Sequence, residues 1–364
     1  METGPIPNVK KIAILRALVL GDLIFILPAI TSLHRAYPQA EIILLARPWA
    51  KELVENRIPG INRVVTFRSP PHEYEELGYL IHPEDAAWFF PQMQAEGIDI
   101  AISMQGGGLN GIPFLQRMKP QITIAAREPT AAAPDRWLIH DFYQNEVIHG
   151  LELARLAGGA PAEWTPQLPV LPCDREAAAP YLEKRTRPFI VIHAGARDIR
   201  RCWPPEKFAA LGDTLIHRYG VDVILTGTDV DAKAAQQVEQ HMQESPVNLS
   251  QQLSLSALVG VLEKAALVIS NDTGVLHVGL AVGAKAIGIY WSEYISKSMP
   301  LSRESFFPII AWNHRCPVCG MDLGHEEVVR SDLRECMHLV SFVNEITAEQ
   351  VLQAAGRLLT RGTD

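Results

Sequence analysis

The stretch AALVISNDTGVLHVGLAVGAKAIGIY, residues 265–290, decides the fold. Two apolar runs, 265–269 and 286–290, flank a polar turn and a helix pattern of small residues. Short apolar runs separated by a helix are typical of parallel strands that are buried on both faces of a sheet. The stretch therefore predicts a strand, a polar turn, a helix and a second strand. It also raises the question of why the turn holds Asp272 and, farther along, His277.

The same alternation of strand and helix patterns occupies both halves of the chain. Proline-rich residues 161–188 separate the halves, as is typical of a segment between domains. We therefore expect an α/β fold with domains at 1–165 and 189–345 and a linker at 166–188. A last helix, within 346–364, is expected to pack back towards the N-terminal domain. The predicted strands are 11–16, 41–46, 64–67, 98–103, 122–125, 189–193, 221–226, 266–269 and 286–290, and one predicted helix spans 22–37.

Length, composition and charge exclude several classes of protein. At 364 residues the chain is long enough for two domains, and 48% hydrophobic with 20% charged residues is typical of a soluble globular protein. The net charge of −8 argues against a nucleic-acid-binding surface. No apolar stretch reaches the roughly 18–20 residues that cross a bilayer, and the N-terminus does not resemble a signal peptide. Five cysteines are too few for a secreted disulfide scaffold, which favours a cytoplasmic location.

The polar turn at 271–277 predicts an anion-binding site. In an open parallel sheet, ligands bind at the carboxyl ends of strands, where loops lead into helix N-termini. A helix that begins near Thr273 exposes free backbone N–H groups and a partial positive charge, which suit a phosphate or pyrophosphate. Gly274 lets the backbone approach a ligand closely, and His277 shares a helical face with Thr273. The alternative is that Asp272 or Thr273 only caps the helix and His277 packs in the core.

Two further loops of the second half are candidates for the same ligand. Residues 193–204 follow a strand and carry three arginines, whose guanidinium groups suit phosphate. The alternative for this loop is a solvated run of charge. Asp229 lies in a Gly-Thr-Asp turn after the strand 221–226, for which a capped turn is the alternative. The three arginines are Arg197, Arg200 and Arg201.

The first half offers one candidate for acid–base chemistry. Asp22 follows Gly21 at a strand-to-helix turn. A free Asp titrates near pH 4, so it is ionised at neutral pH and suits a general base. The alternative is that Asp22 is a plain N-cap. Neither a G-x-G-x-x-G dinucleotide fingerprint nor a P-loop is present.

The C-terminal part of the chain holds a cysteine pair in a C-x-x-C spacing, followed by a third cysteine. A zinc or iron site needs four ligands, and C-x-x-C often supplies two of them. Because only three cysteines are present, a histidine would have to complete such a site. Free thiols and one local disulfide are the alternatives. The residues concerned are Cys316, Cys319 and Cys336, with His314, His325 and His338 nearby.

Three motifs in combination give the chain a resemblance to glycosyltransferase family nine, the lipopolysaccharide heptosyltransferases. They are ILRALVLGDLIFILPAITSLHRAYPQAEIILLARP at 14–48, RCWPPEKF at 201–208 and SNDTGVLH at 270–277. The Gln-Gly pair at 105–106 and the C-x-x-C pair also fit the family. The resemblance covers roughly residues 10–360. It implies a GT-B arrangement of two Rossmann-like domains that face an interdomain cleft.

The resemblance also implies a reaction: transfer of a heptose from ADP-heptose to a lipopolysaccharide-core-type sugar, with inversion, independent of metal and without a cofactor. It implies that the N-terminal domain binds the acceptor and the C-terminal domain the nucleotide sugar. Asp22 matches the catalytic base, and Arg201 stands where the family usually has a phosphate-binding lysine. Asp229 falls near an acidic donor contact. The donor-binding motif is matched by Asp272, Thr273, Gly274 and His277.

The implied partners are the nucleotide sugar and a lipid-linked saccharide acceptor at the inner membrane face, with no nucleic acid and no transmembrane segment. The implied location is cytoplasmic or peripheral at the inner membrane. Residues 68–94 are aromatic-rich, have a poor secondary-structure pattern and predict a partner-facing excursion. The turn at 290–293, Tyr-Trp-Ser-Glu, departs from the family's usual Gly-Pro-Thr type. A degenerate nucleotide-sugar binder and a nucleotide-sugar epimerase of similar architecture are the alternatives.

Overall fold

The computed structural model describes residues 5–70, 79–323, 336 and 338–360. The chain divides into two compact units, Met1–Pro169 and Val170–Asp364, called here the first and second unit. Within the described ranges, no helix combines the length and apolar character needed to span a membrane. Part of the excursion expected at 68–94, residues 71–78, lies outside the described residues.

The first unit is a six-stranded parallel sheet with helices. The strand order is β3-β2-β1-β4-β5-β6. The strands are β1 Lys11–Leu15, β2 Glu41–Ala46, β3 Arg63–Thr66, β4 Ile100–Ser103, β5 Ile122–Arg127 and β6 Arg136–Ile139. The helices are α1 Leu20–Phe25, α2 Leu27–Ala36, α3 Pro48–Val54, α4 Pro83–Ala95, α5 Gly111–Arg117 and α6 Glu146–Leu156.

The second unit repeats this plan with the strand order β12-β11-β10-β7-β8-β9, again parallel throughout. The strands are β7 Phe189–His193, β8 Asp222–Leu225, β9 Val247–Asn248, β10 Leu267–Asn271, β11 Ala286–Trp291 and β12 Phe306–Ala311. The α-helices are α7 Pro172–Leu182, α8 Pro205–Tyr219, α9 Ala232–His241, α10 Leu255–Lys264, α11 Gly274–Ala281, α12 Ile295–Ser298 and α13 Ala348–Thr360. Two 3₁₀ helices span Ile199–Arg201 and Ser292–Tyr294.

The α/β fold with two parallel sheets is thus confirmed. The central strands β7 and β10 are buried along their whole length, which explains their continuous apolar sequence. In each sheet the strand order reverses once: between β1 and β4 in the first unit, and between β7 and β10 in the second. Ligands of such sheets bind beyond the carboxyl ends of the strands at this reversal. The loops after these four strands therefore define where the chemistry lies.

The segment predicted as a linker is largely helical. Within 166–188, α7 packs along α10 in the second unit, and the two units divide between Pro169 and Val170. Pro172 at the first helical position and Asp174, which accepts a hydrogen bond from the Leu171 N–H, start this helix. At Gly260 of α10, an added Cβ would lie 2.3 Å from the Asp174 carbonyl oxygen, so the helices approach closely because this residue is glycine. Proline content alone did not reveal this packing.

Other elements differ from their predictions in ways that the local sequence explains. The helix predicted at 22–37 is two helices, α1 and α2, because Pro28 lies in the first turn of α2 and interrupts the backbone ladder. α4 occupies part of the aromatic-rich stretch that had no clear pattern. The buried face of the last helix, α13, joins the core of the second unit against α8 and β11. Its packing towards the first domain stays a prediction.

Candidate functional site

The SNDTGVLH turn connects β10 to α11 at the reversal point of the second sheet. Thr273 is the N-cap residue of α11, with an extended backbone, yet its side chain makes no cap hydrogen bond. Its hydroxyl instead lies 3.0 Å from that of Ser270. The interpretation of Thr273 as a plain cap is therefore not what the structure shows. An N-terminus without this cap bond leaves backbone donors for an anion.

Asp272 is the centre of a buried polar network in this turn. Its side chain is 3% exposed. One carboxylate oxygen lies 3.2 Å from Nε2 of His277, and the other accepts a hydrogen bond from Ser298 at 2.9 Å. That second oxygen also lies 3.4 Å from Nη1 of Arg201. A carboxylate held by three partners fixes the positions of Arg201 and His277 rather than reacting itself.

Arg201 joins this network from the loop after β7. Its guanidinium carbon lies 4.7 Å from the centroid of the Tyr294 ring. Its Nε is buried and has no hydrogen-bond partner among the described residues. A buried donor without a partner is costly, and an anionic ligand would satisfy it. Of the three arginines, Arg201 therefore fits a phosphate contact best, because Arg200 is bonded to Asp198 and Arg197 is exposed.

Sequence reasoning missed Asn271, which ties the arginine-bearing loop to the turn. Its side-chain amide donates to the Ala194 carbonyl at 2.7 Å, and its oxygen accepts from the Trp203 N–H at 3.0 Å. The residue is fully buried at the end of an apolar strand. A polar residue at the last position of a buried strand was the signal that could have found it. Asn271 thus sets the position of Arg201 through the backbone of its loop.

Asp229 does not join the Asp272 network. It is exposed, and one of its carboxylate oxygens accepts from the Gln251 amide at 3.3 Å. The cap of this turn is Asp231, which accepts hydrogen bonds from the Thr228 N–H at 3.2 Å and from its hydroxyl at 2.9 Å. Asp231 therefore caps this turn, and the role of Asp229 as a donor contact stays a prediction.

His193 is a second residue that the sequence did not single out. It ends β7 and is buried, with Nδ1 at 3.1 Å from the Thr226 carbonyl oxygen. Burial lowers the pKa of His193, so the imidazole is held neutral. Its Nε2 lies 3.9 Å from a carboxylate oxygen of Asp231. The contact of Nδ1 with Thr226 thus joins the carboxyl ends of β7 and β8.

In the first unit, Asp22 lies in the first turn of α1, next to the reversal point. One carboxylate oxygen accepts from the Val19 N–H at 3.1 Å, so Asp22 does cap the start of α1. The other oxygen lies 3.3 Å from Nη2 of Arg16. The side chain remains 25% exposed. The capping role and a reactive role are thus compatible, because the carboxylate is held in place and still reaches solvent.

Arg16 holds the Asp22 turn and was not predicted as a functional residue. It is 3% exposed. Its Nε donates to the Asp22 carbonyl at 2.9 Å, and Nη2 lies 2.9 Å from a carboxylate oxygen of Glu146 on α6. Nη1 donates to the Met104 carbonyl in the loop after β4. Because Arg16 contacts three elements, it is a positioning residue for Asp22.

His149 on α6, one turn after Glu146, makes the first unit sensitive to acid. Burial lowers its pKa to about 4, from an ordinary value near 6.5. A histidine whose pKa is lower in the folded state than in the unfolded state makes its full contribution to the free energy of unfolding above the unfolded-state pKa. That contribution is lost as the pH falls towards the folded-state pKa. We expect the free energy of unfolding to lose roughly 3 kcal/mol between pH 6.5 and pH 4 from this residue alone.

Urea denaturation of the wild type and of His149→Leu at a series of pH values measures this contribution. The leucine variant is expected to lose less stability than the wild type on acidification. His241→Leu, at an exposed position on α9, is the control and is expected to follow the wild type. Parallel pH profiles for wild type and His149→Leu would contradict the assignment.

A family model and curated relatives identify the family of the chain. The sequence pattern of glycosyltransferase family 9 (heptosyltransferase) matches residues 88–321, more than half of the chain. The chain is 23% identical over 376 residues to lipooligosaccharide heptosyltransferase 2 of Haemophilus ducreyi, an alignment that covers 96% of this chain and 99% of that protein. The matched span contains Arg201 and the whole 271–277 turn.

Two solved structures share the fold. The glycosyl transferase family 9 from Veillonella parvula DSM 2008 has a TM-score of 0.76 at 18% identity, with 100% of this chain and 99% of that chain covered. E. coli heptosyltransferase WaaC with ADP has a TM-score of 0.68, also at 18% identity, with 96% and 99% covered. At 18% identity, the structural similarity shows that the chain shares the fold of these proteins.

Proposed function

The chain belongs to glycosyltransferase family 9, and from that premise we propose that it transfers a heptose from ADP-heptose to a lipopolysaccharide-core-type sugar, with inversion at the anomeric carbon. The observation that carries the donor half of the proposal is the buried network of Arg201, Asp272 and His277 at the start of α11. It presents an unpaired guanidinium N–H beside a helix N-terminus. Both groups favour a diphosphate.

In the proposed reaction, the oxygen of an acceptor hydroxyl attacks the anomeric carbon of the donor sugar. The bond from that carbon to the diphosphate oxygen breaks, and ADP leaves with the bonding electrons. The hydroxyl proton passes to the carboxylate of Asp22 as the new bond forms. A single displacement of this kind inverts the anomeric carbon.

The charge that develops on ADP is the main electrostatic demand of the reaction. Arg201 and the first N–H groups of α11, at Gly274 and beyond, are fixed before the reaction begins, so they need no reorganisation as charge develops. Donors of this type contribute roughly 3–4 kcal/mol each to transition-state stabilisation. His277 and Thr273 complete the donor-binding turn, and Asp229 enters the proposal as a contact to the donor nucleotide.

The first unit is assigned to the acceptor. Asp22 is held by Arg16 and by the backbone of Val19, and Gln105, which accepts from the Ala17 N–H at 2.7 Å, joins the loops after β1 and β4. This support keeps the carboxylate oriented without burying it. The acceptor in this proposal is a lipid-linked saccharide at the inner membrane face, and the enzyme acts from the cytoplasm.

A binding panel tests the donor assignment. We expect ADP and ADP-heptose to raise the melting temperature, with UDP and GDP giving smaller shifts at equal concentration. A ligand at a hundredfold excess over its Kd stabilises by about 2.7 kcal/mol, which is readily measured. A response to UDP and none to ADP would contradict the ADP assignment.

Turnover assays then separate the proposed transferase from its two alternatives. A transferase releases ADP rapidly only when a heptose-deficient core saccharide is present. A degenerate binder would bind the donor without releasing ADP, and an epimerase would convert the donor without any acceptor. Either of these two results would contradict the proposed transfer.

A further inference from the structure

The segment around the C-x-x-C pair folds as a tight hairpin in the second unit. An antiparallel bridge joins Arg315 to Asp322. The Cys316 N–H donates to the Met321 carbonyl at 2.8 Å, and the Gly320 N–H donates to the Cys316 carbonyl at 2.9 Å. Gly320 has φ of 72°, which glycine adopts without strain, and this lets the chain turn back directly after the second cysteine. The hairpin therefore holds both cysteines of the pair at its tip.

Four possible metal ligands converge at this hairpin. Their ligand atoms all lie within 4.8 Å of one another. The sulfur of Cys319 lies 3.6 Å from that of Cys336, and Nδ1 of His338 lies 3.5 Å from Cys336 Sγ and 3.7 Å from Cys316 Sγ. The set, called here the Cys3His cluster, consists of Cys316, Cys319, Cys336 and His338. His314 is bonded elsewhere, and His325 lies outside the described residues.

These separations fit a tetrahedral metal site better than the alternatives. With a Zn–S bond of about 2.3 Å, the edge of a coordination tetrahedron is about 3.8 Å, close to the three distances above. A disulfide needs its sulfurs at about 2.05 Å, and all five cysteines are unpaired in the structure. Four protein ligands leave no open coordination position, which is typical of a structural rather than a catalytic zinc site.

We propose that the Cys3His cluster binds one structural Zn²⁺ ion that holds the Arg201 loop in place. The first connection runs through the segment after His338. The Phe342 N–H donates to the Arg200 carbonyl at 2.9 Å, and the Phe342 ring packs on Trp291 at 4.5 Å between centroids. The Trp203 indole N–H donates to the Ile346 carbonyl at 2.9 Å. The segment that follows the cluster thus contacts the Arg201 loop on both sides of Arg201, at Arg200 and at Trp203.

A second connection runs from the base of the hairpin. His314 Nδ1 lies 2.5 Å from a carboxylate oxygen of the buried Glu293, in the turn after β11. The next residue in that turn is Tyr294, whose ring packs against Arg201. The hairpin and the segment after His338 therefore reach Arg201 from two sides. This part of the inference rests on the proposed function, because it assigns the ion to the support of the leaving-group site.

Metal content tests the ion independently of any activity. Elemental analysis of the protein purified without chelators is expected to give about one zinc ion per chain. Cys336→Ser and His338→Asn are expected to lose it, while the exposed Cys173→Ser and His241→Asn are expected to retain it. Protein without stoichiometric metal would overturn the proposal, and stoichiometric iron would overturn the choice of zinc.

Cobalt replacement uses the unchanged chain, so it does not depend on how well the variants fold. Co²⁺ in the Cys3His cluster is expected to show the visible absorption of a tetrahedral ion and thiolate charge-transfer bands in the near ultraviolet. Added Zn²⁺ should remove both. Octahedral-type weak absorption, with no charge-transfer bands, would overturn the ligand assignment.

Nucleotide affinity tests the positioning role. Removal of zinc with a chelator is expected to raise the Kd for ADP roughly tenfold, as expected when a charge-assisted contact becomes disordered, and re-addition of zinc should restore it. An unchanged Kd would overturn the positioning role while leaving the zinc site intact. If the zinc-loaded protein fails to bind ADP, the proposed function is contradicted but the zinc site is not, because the metal content is measured independently of nucleotide binding.

Discussion

Asp22→Asn is expected to lower kcat by about 10²–10⁴-fold, the range that a general base contributes, while the Kd for the donor stays within twofold of the wild type (about the error of such a measurement). The amide cannot accept the hydroxyl proton, but its oxygen can still accept the Val19 N–H. Local structure around α1 should therefore persist. Steady-state kinetics with saturating acceptor, together with calorimetric titration of ADP, measure the two quantities separately.

Asp174→Asn is a matched control for the capping role. Asp174 likewise accepts a hydrogen bond from the backbone N–H of the residue before its helix, Leu171, and it is fully buried whereas Asp22 is 25% exposed. The control should cost at least as much stability as Asp22→Asn, yet leave kcat near the wild-type value. If Asp22→Asn retains its kcat, or if both variants lose turnover in proportion to their stability, Asp22 is only a helix cap.

Arg201→Met is expected to lower kcat/KM for the donor by about 10²–10³-fold, the effect of removing one preorganised donor from a developing negative charge. Methionine keeps much of the length of the apolar stem but supplies neither the charge nor the cation–π contact with Tyr294. It also leaves Asp272 with one partner fewer, so the melting temperature should be recorded for each variant. Competition between ADP and the donor shows how much of the loss lies in ground-state binding.

Two further arginine variants serve as controls. Arg201→Lys keeps the positive charge and is expected to recover most of the lost kcat/KM, although a lysine cannot reproduce the fork of donors. Arg218→Met removes an exposed arginine in the last turn of α8, whose first turn follows the Arg201 loop, and should leave the kinetics unchanged. Equal losses in Arg201→Met and Arg218→Met would show a general charge effect and contradict a specific contact.

Much of the architecture could be predicted because apolar patterning determines it. The central strands of both sheets are short, apolar and buried, so periodicity alone located them to within a residue or two. The helix α7 could not be predicted in this way. Its prolines and alanines are typical of a linker as well, and its stability depends on contact with Gly260, which lies far along the chain.

The candidate site shows the same limit. Asp272, Thr273 and His277 could be selected because they lie together in one turn. Arg16 and Asn271 could not, because their roles come from partners 130 and 68 residues away, Glu146 and Trp203. For Asp22 the sequence left a cap and a base as alternatives. The structure shows the cap contact with the Val19 N–H and a carboxylate that is partly exposed, and the base role stays a proposal.

The close contact between α7 and α10 bears on how the protein can be divided into fragments. A C-terminal fragment that began at the first residue of β7 would lack the helix that covers α10 and would expose the face of α10 around Gly260 to water. Such fragments tend to aggregate, because newly exposed apolar patches associate with one another. A fragment for expression of the second half alone should therefore start at Val170, so that it includes α7, which covers this face of α10.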